Sequence, residues 1–508
     1  MKYRVLIAAV ITVFSGIAFF SPVLSLEIHS NGTGGGLWSN PSTWMGGKVP
    51  DSNDTVIISM RDNVVFDVSG KEEPSCSGLK IDPEGILAFK KMPGILVLTV
   101  KGGIKSYGAI RLDTTSSETG AQELRLLPPA EITMLENSAF LVYGKPVSGN
   151  ESVNIRLTAP AETRMVANDK AMIDIQNASI TGIVFYIYNL DNTGNAPDER
   201  INFIGCRFLG SSRVFLQSCD TPLLKNNIFN GSSIPSDQSA LYLSYCSLAQ
   251  VFNNVFKGVY HSAIRAENDK DSTVNGNSVE GSVYGVYWNA GKQAMIKYNK
   301  ISNCTNGVFM NATEGLLEGI IVNSCSKPFS LNSLYMQMTD CRVENTATNC
   351  FLELNNASVT LLNCNIADDQ IRCTGEPATD YYAENMQYVI VKLNGNLPAG
   401  AVTVGMQTAK VSGGVPEGKA DLNVRNSPAK ISLDGWSPLP QSMRALTVRS
   451  WTIGKDGKVV RPPFYDLIVY AAQEGSPPKE IKQLLVEPQD KWYRPDPNEK
   501  NAAVEVNL

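Results

Sequence analysis

Across residues 203–366 the apolar positions return in a short motif. It runs apolar residue, two mostly polar or small residues, Asn or Cys, any residue, second apolar residue. Counted on its last position, the motif falls at Phe208, Phe229, Phe256, Val279, Ile301, Val322, Val343 and Ile366, in steps of 21, 27, 23, 22, 21, 21 and 23 residues. A fixed period of this length marks stacked supersecondary units, none of which buries its own apolar side chains alone. Seven residues after each anchor the apolar residue returns, at Phe215, Val286, Val308, Phe329 and Cys350, and with short insertions at Leu241 and Ile264. Around these second anchors the letters alternate, as in ALYLSYC, GVYWNAG and GVFMNAT, which is the period of a strand. A third apolar patch precedes each Asn or Cys, so one period of ~22 residues holds three short strands separated by Gly, Asn and Ser turns. That predicts an all-β chain wound as a right-handed parallel β-helix. A propeller needs a period of ~40 residues with four strands per blade.

Two places before each anchor stands a column of Cys206, Asn227, Asn254, Asn277, Asn299, Ile320, Cys341 and Cys364. Asn here suits a left-handed turn conformation, and its amides bond along the stack. The turns NNIFNG, NNVFKG, GNSVEG and YNKISN resemble those of the right-handed β-helix superfamily that includes pectate lyases and polygalacturonases, over residues 76–376. That superfamily hosts lyases, hydrolases, epimerases, tailspikes and non-catalytic adhesins, so the resemblance implies a fold and leaves the activity open. Upstream, Trp38, Pro41, Thr43, Trp44, Gly47, Val49, Pro50, Asp54, Val56 and Ile58 carry a pattern that resembles the eight-glycine extracellular domain found before β-helices in cell-surface proteins. It implies an N-terminal β cap over residues 26–100, with sugar binding by exposed Trp as the sharper alternative.

The β-helix is then expected over 101–376, a linker near 376–386, a β-sandwich-like domain over 386–476 from its alternating strands and GKDGK-type turn, and a charged, Pro-rich, partly disordered tail over 477–508. Residues 1–25 read as a secretory signal, a basic start followed by an apolar run and small residues. An uncleaved anchor is the alternative; either places the mature chain outside the cytoplasm, secreted, at the cell surface or in a periplasm. With 18% charged residues and a net charge of −5, nucleic acid is not an expected partner. Of the ten cysteines, Cys304 and Cys325, like Cys341 and Cys364, lie one coil apart and stack as thiols or bridge, whereas Cys76 has no obvious partner.

Chemistry is expected on the second strand of each coil, where the residue after the anchor should point outward. That column reads Leu216, Tyr242, Arg265, Tyr287, Phe309, Ser330 and Phe351. An exposed run of Tyr242, Arg265, Tyr287, Phe309 and Phe351 suits successive sugar rings of an extracellular polysaccharide, with Arg265 available to a uronate carboxylate. A covering loop or domain is the alternative. The polar coil GVYHSAIRAENDKDS adds candidate catalytic residues. In a uronate lyase Arg265 would neutralise the carboxylate, His261 abstract the proton and Tyr287 protonate the leaving oxygen. In a hydrolase Glu267 and Asp269 would flank the bond. The stretch H-S-A-I-R-A-E-N also resembles the G-H-x-x-x-x-E-D element of β-helices that follow the eight-glycine domain, with His261 and Glu267 on its His and Glu, but Tyr260 replaces its Gly and Asn268 its Asp. No cofactor is expected; calcium at Asp269-Lys270-Asp271 is a weak alternative. Polysaccharide binding without turnover leads, with a lyase or hydrolase and a protein-binding scaffold as the other readings.

Overall fold

The structure, a computed structural model, describes residues 26–69, 74–117, 119–146, 153–168, 170–190, 201–231, 237–258 and 260–397, and in the C-terminal part 401–408, 410–412, 415–417, 429–430, 446–472, 479–487 and 503–508. The expected signal segment, 1–25, lies outside the described residues.

The chain winds into a parallel β-solenoid with three strands per regular coil. One coil is Gln250–Phe252, Val255–Lys257 and Ser262–Glu267, and the next is Thr273–Asn275, Ser278–Glu280 and Tyr284–Asn289. Each strand pairs in parallel with its counterpart one coil on. The first-anchor positions Phe208, Phe229, Phe256, Val279, Ile301, Val322 and Val343 are direct register partners and lie buried, as the repeat predicts. Phe208, Phe229 and Phe256 stack face to face at 4.3 and 4.7 Å between centroids.

The Asn column divides its two expected tasks between neighbours. The residue before each column position takes the left-handed conformation: Asn226, Asn253, Gly276 and Tyr298 have φ of 57°, 54°, 68° and 52°. The column Asn side chains point inward and form a buried ladder. Asn254 Oδ1 accepts the backbone N–H and the side-chain amide of Asn227, both at 2.9 Å, while its own Nδ2 donates to the Leu224 carbonyl at 2.9 Å. Asn277 and Asn299 repeat the arrangement.

The parallel register extends further toward the N-terminus than the expected boundary at residue 100. Glu27–His29, Thr55–Ile58, Gly78–Ile81 and Ile104–Ser106 are successive rungs of one sheet. Trp38 and Trp44, for which sugar binding was the alternative to capping, are buried at the solenoid's first coils, packed edge to face at 5.0 Å with Trp44 Nε1 donating to the Trp38 carbonyl at 2.8 Å. They fill the core's end, because an open coil would leave Phe66 wet.

At the other end no linker intervenes. Tyr381–Asn394 pairs in parallel with Ser358–Leu362 through Ala383 to Met386, then continues into the C-terminal sheets. There Leu446–Gly454 runs antiparallel to it and Ala503–Asn507 parallel to it. A second, antiparallel sheet holds Ala401–Thr408, Tyr465–Ala472 and Lys479–Val486. Between the two sheets Val391, Val404, Val448, Leu467 and Val506 share a second core. Two parts of the expected disordered tail are therefore strands, held by apolar residues that alternate within a charged sequence; residues 488–502 lie outside the described residues.

Candidate functional site

The second face of the solenoid carries the residues singled out above. Register places Tyr186, Phe215, Tyr242, Arg265, Tyr287, Phe309, Ser330, Glu353 and Arg372 in one outward column. Five of the seven expected positions, Tyr242, Arg265, Tyr287, Phe309 and Ser330, fall in it. Leu216 points into the core and Phe215 takes its place, because Val214 rather than Phe215 partners Leu241. Phe351 is also displaced. A longer turn after Arg342–Glu344 delays the strand, so Leu352 is the buried partner of Phe329, Glu353 stands in the column, and Phe351 packs against the core.

The rings form a ladder whose members use their faces on one another. Phe215 meets Tyr242 edge to face at 4.9 Å, and Tyr287 stacks on Phe309 at 5.0 Å with an interplanar angle of 11°. Between them the Arg265 guanidinium lies over Tyr242 at 4.8 Å and over Tyr287 at 5.3 Å. The expectation of flat faces turned to solvent is therefore corrected: the column presents ring edges and tyrosine hydroxyls. Stacked and edge-to-face ring pairs and a guanidinium over a ring all engage ring faces, and rungs about 4.8 Å apart bring successive side chains within that reach along the stack.

Arg265 is closed further by Glu267, whose Oε1 accepts from Nε at 3.0 Å and from Nη2 at 2.6 Å. The Tyr242 hydroxyl donates to the other oxygen, Oε2, at 2.5 Å. Burial would raise the Glu267 carboxyl, but these bonds outweigh it and leave it below the ordinary value. Burial, reinforced by Glu267, pushes Tyr242 up to about 12. His261 joins the same cluster, its ring 5.2 Å from Tyr284 and 6.3 Å from Tyr287, with Nδ1 3.0 Å from the Ser262 hydroxyl. Burial and the nearby Arg265 charge hold its imidazole below the usual value, so it is neutral at physiological pH. The structure thus brings together His261, Arg265, Glu267, Tyr242 and Tyr287.

Asp269 does not join them. After Glu267 the strand ends, Asn268 turns with φ 52°, and Asp269 enters an inward corner column with Cys219, Cys246 and Gly291. Its two carboxylate oxygens are buried without a hydrogen-bond partner. Burial pushes the group up to about 7. Glu267 faces out and Asp269 in, so they cannot flank one glycosidic bond. For the same reason Asp269 and Asp271 do not form the open calcium loop considered above, and among the described residues no three His, Cys, Asp or Glu side chains gather to hold a metal ion.

One feature of the face escaped the sequence reading. Two residues beyond the ring column runs a second outward column of Tyr188, Gln217, Ser244, Glu267, Asn289, Asn311, Asn332, Asn355 and Thr374. Asn311 Nδ2 donates to Asn289 Oδ1 at 2.7 Å. Its signal was the Asn closing each of YGVYWN, NGVFMN, KPFSLN and LELN.

The family described as "Right handed beta helix region" matches residues 189–327 and 239–375. Among solved structures, the chain is similar to the A-module of the mannuronan C-5 epimerase AlgE6 of Azotobacter vinelandii, at 11% identity and a TM-score of 0.23 over 64% of this chain and 88% of that one. It is also similar to tailspike protein 3 of bacteriophage CBA120, at 8% identity and a TM-score of 0.20 over 66% of this chain and 53% of that one. No curated protein matches the chain in sequence at a significant level. Together with the parallel register of its rungs, the family match identifies the solenoid as a right-handed parallel β-helix.

Proposed function

We propose that this protein is an extracellular or cell-surface β-helix that binds a polysaccharide on its second face without turning it over. One observation carries the reading: two outward columns, one of aromatic edges interrupted by Arg265 and one of amides and hydroxyls interrupted by its ion-pair partner Glu267, run side by side in register along the solenoid. Sugars offer both apolar C–H surface and hydroxyl groups, so a strip with apolar ribs beside neutral donors and acceptors is complementary to them. Turnover is disfavoured because Arg265 and Glu267 satisfy each other and Asp269 faces the core.

Asn289→Ala with Asn311→Ala tests the reading, because both side chains lie on the surface strip outside the core. The double variant is expected to keep its fold by circular dichroism and to bind an immobilised polysaccharide panel roughly tenfold more weakly, two net hydrogen bonds being lost. Unchanged retention of every polysaccharide the parent binds would remove the amide column from the site. The lyase reading rests on neutral His261 beside Tyr287. Incubation with uronate polymers that released unsaturated product, abolished by His261→Ala, would replace binding by catalysis.

A further inference from the structure

We infer that the polysaccharide taken by this face is neutral and lies along the solenoid axis, a deepening that rests on the binding reading above. Arg265 is the cation best placed for a uronate, yet it is already occupied. Two of its nitrogens donate to Glu267, and both guanidinium faces are covered by Tyr242 and Tyr287. Two other basic side chains bordering the ring run are likewise paired. Arg213 Nη1 sits 3.2 Å from Glu162, and Lys327 Nζ 3.0 Å from Glu353. Arg164, over Tyr186, and Arg372, at the far end of the column, lie outside the run from Phe215 to Phe309. A sugar carboxylate on this strip would therefore meet Glu267 and Glu353 without an open guanidinium to repay its desolvation. Hydroxyl groups meet no such penalty, since Gln217, Ser244, Asn289, Asn311 and Asn332 are neutral and both donate and accept.

The direction follows from the same register. A chain laid along one strand would meet one ring and one polar group before the left-handed corner at Asn268 or Ala290 turns the surface away. A chain laid across the rungs meets a new rib and a new polar group every ~4.8 Å, a spacing comparable with one pyranose residue. From Phe215 through Tyr242, Arg265 and Tyr287 to Phe309 there are five such rungs.

Calorimetry on the folded chain, with neutral oligosaccharides and oligouronates from disaccharide to octasaccharide at low and high salt, tests this. The neutral series is expected to gain affinity with length, to level off at about five residues, and to change less than about twofold with salt. Tighter binding of the oligouronates, weakened about tenfold or more by salt, would overturn the neutral assignment and leave the binding reading intact. A length dependence that stops at the disaccharide would overturn the axial direction. Binding of neither series would instead remove the reading on which this inference stands.

Discussion

Asp269 lies at a corner, and the corner rather than the alternation of its strand decides its environment. Of its neighbours in the inward column, Cys246 directs its thiol to the Leu216 and Ser244 carbonyls and Gly291 has no side chain, while Trp288 Nε1 nearby is also buried and unpartnered. Burial, opposed by the Ser272 hydroxyl and reinforced to a smaller extent by Asp271, moves the carboxyl from 3.8 up to about 7. The folded state thus holds this proton more tightly than the unfolded chain. Its contribution to stability is full below about pH 4 and is lost as pH rises to about 7, by up to roughly 4 kcal/mol. Asp269→Asn carries no charge at any pH and is expected to remove that slope, so that the variant melts higher than the parent at neutral pH while the two converge in acid. Thermal melts followed by circular dichroism across the window decide it. A parent melting temperature that does not fall between about pH 4 and about pH 7 would mean that the carboxyl does not keep its proton inside the core.

Among the repeated elements, the buried Asn ladder ties each coil to the next through buried main-chain groups. Asn254→Ala is expected to leave the Asn227 backbone N–H unsatisfied in the core, at a cost of roughly 1–3 kcal/mol. Urea unfolding measures that loss; a change below about 1 kcal/mol would show that the neighbouring strands re-bond without the amide. The same stacking places Cys219 beside Cys246, Cys304 beside Cys325 and Cys341 beside Cys364 on adjacent rungs, all six unbridged in the structure. Peptide mapping after mild oxidation is expected to return those three pairs and no cross-link through Cys76 or Cys206. The repeat was legible in the sequence because one anchor per coil must be apolar and its register partner is the same kind of residue. Tyr242, Arg265, Tyr287 and Phe309 could be aligned for that reason. Leu216, Phe351 and Asp269 could not, because a strand's phase is reset at every left-handed corner, and a turn one or two residues longer exchanges inside for outside. Ring orientation was also hidden: alternation says that Tyr287 points out, but only the spacing of the rungs says that its face is spent on Phe309 and Arg265.

At the scale of the whole molecule, a stack of parallel rungs faces a problem that its regularity creates, because each end offers unpaired N–H and C=O groups to another copy. The two ends are closed by different means. Trp38 and Trp44 fill the first coils from within, and at the far end Leu446–Gly454 lies antiparallel along Tyr381–Asn394, a direction that parallel stacking cannot continue. Arg461 reaches back from the C-terminal part to Asp368, 2.6 Å away, beside the rung Ile371–Thr374. The C-terminal sheets are thus part of the solenoid's termination, and the core they enclose around Val391, Val404 and Leu467 keeps the covering strand in place. A chain cut after residue 376 loses that strand and presents the edge of Ser358–Leu362. It is expected to associate in a concentration-dependent way, seen as species growing with concentration in sedimentation velocity, under conditions where the full chain shows no such growth. Replacing Arg461 by Ala in the full chain removes only an exposed ion pair, so it is expected to leave the sedimentation profile unchanged, which separates loss of a covering strand from loss of charge. A truncated chain that stayed monodisperse and kept its β signal would show that the last parallel edge is not adhesive, and the C-terminal sheets would then need a role other than closure.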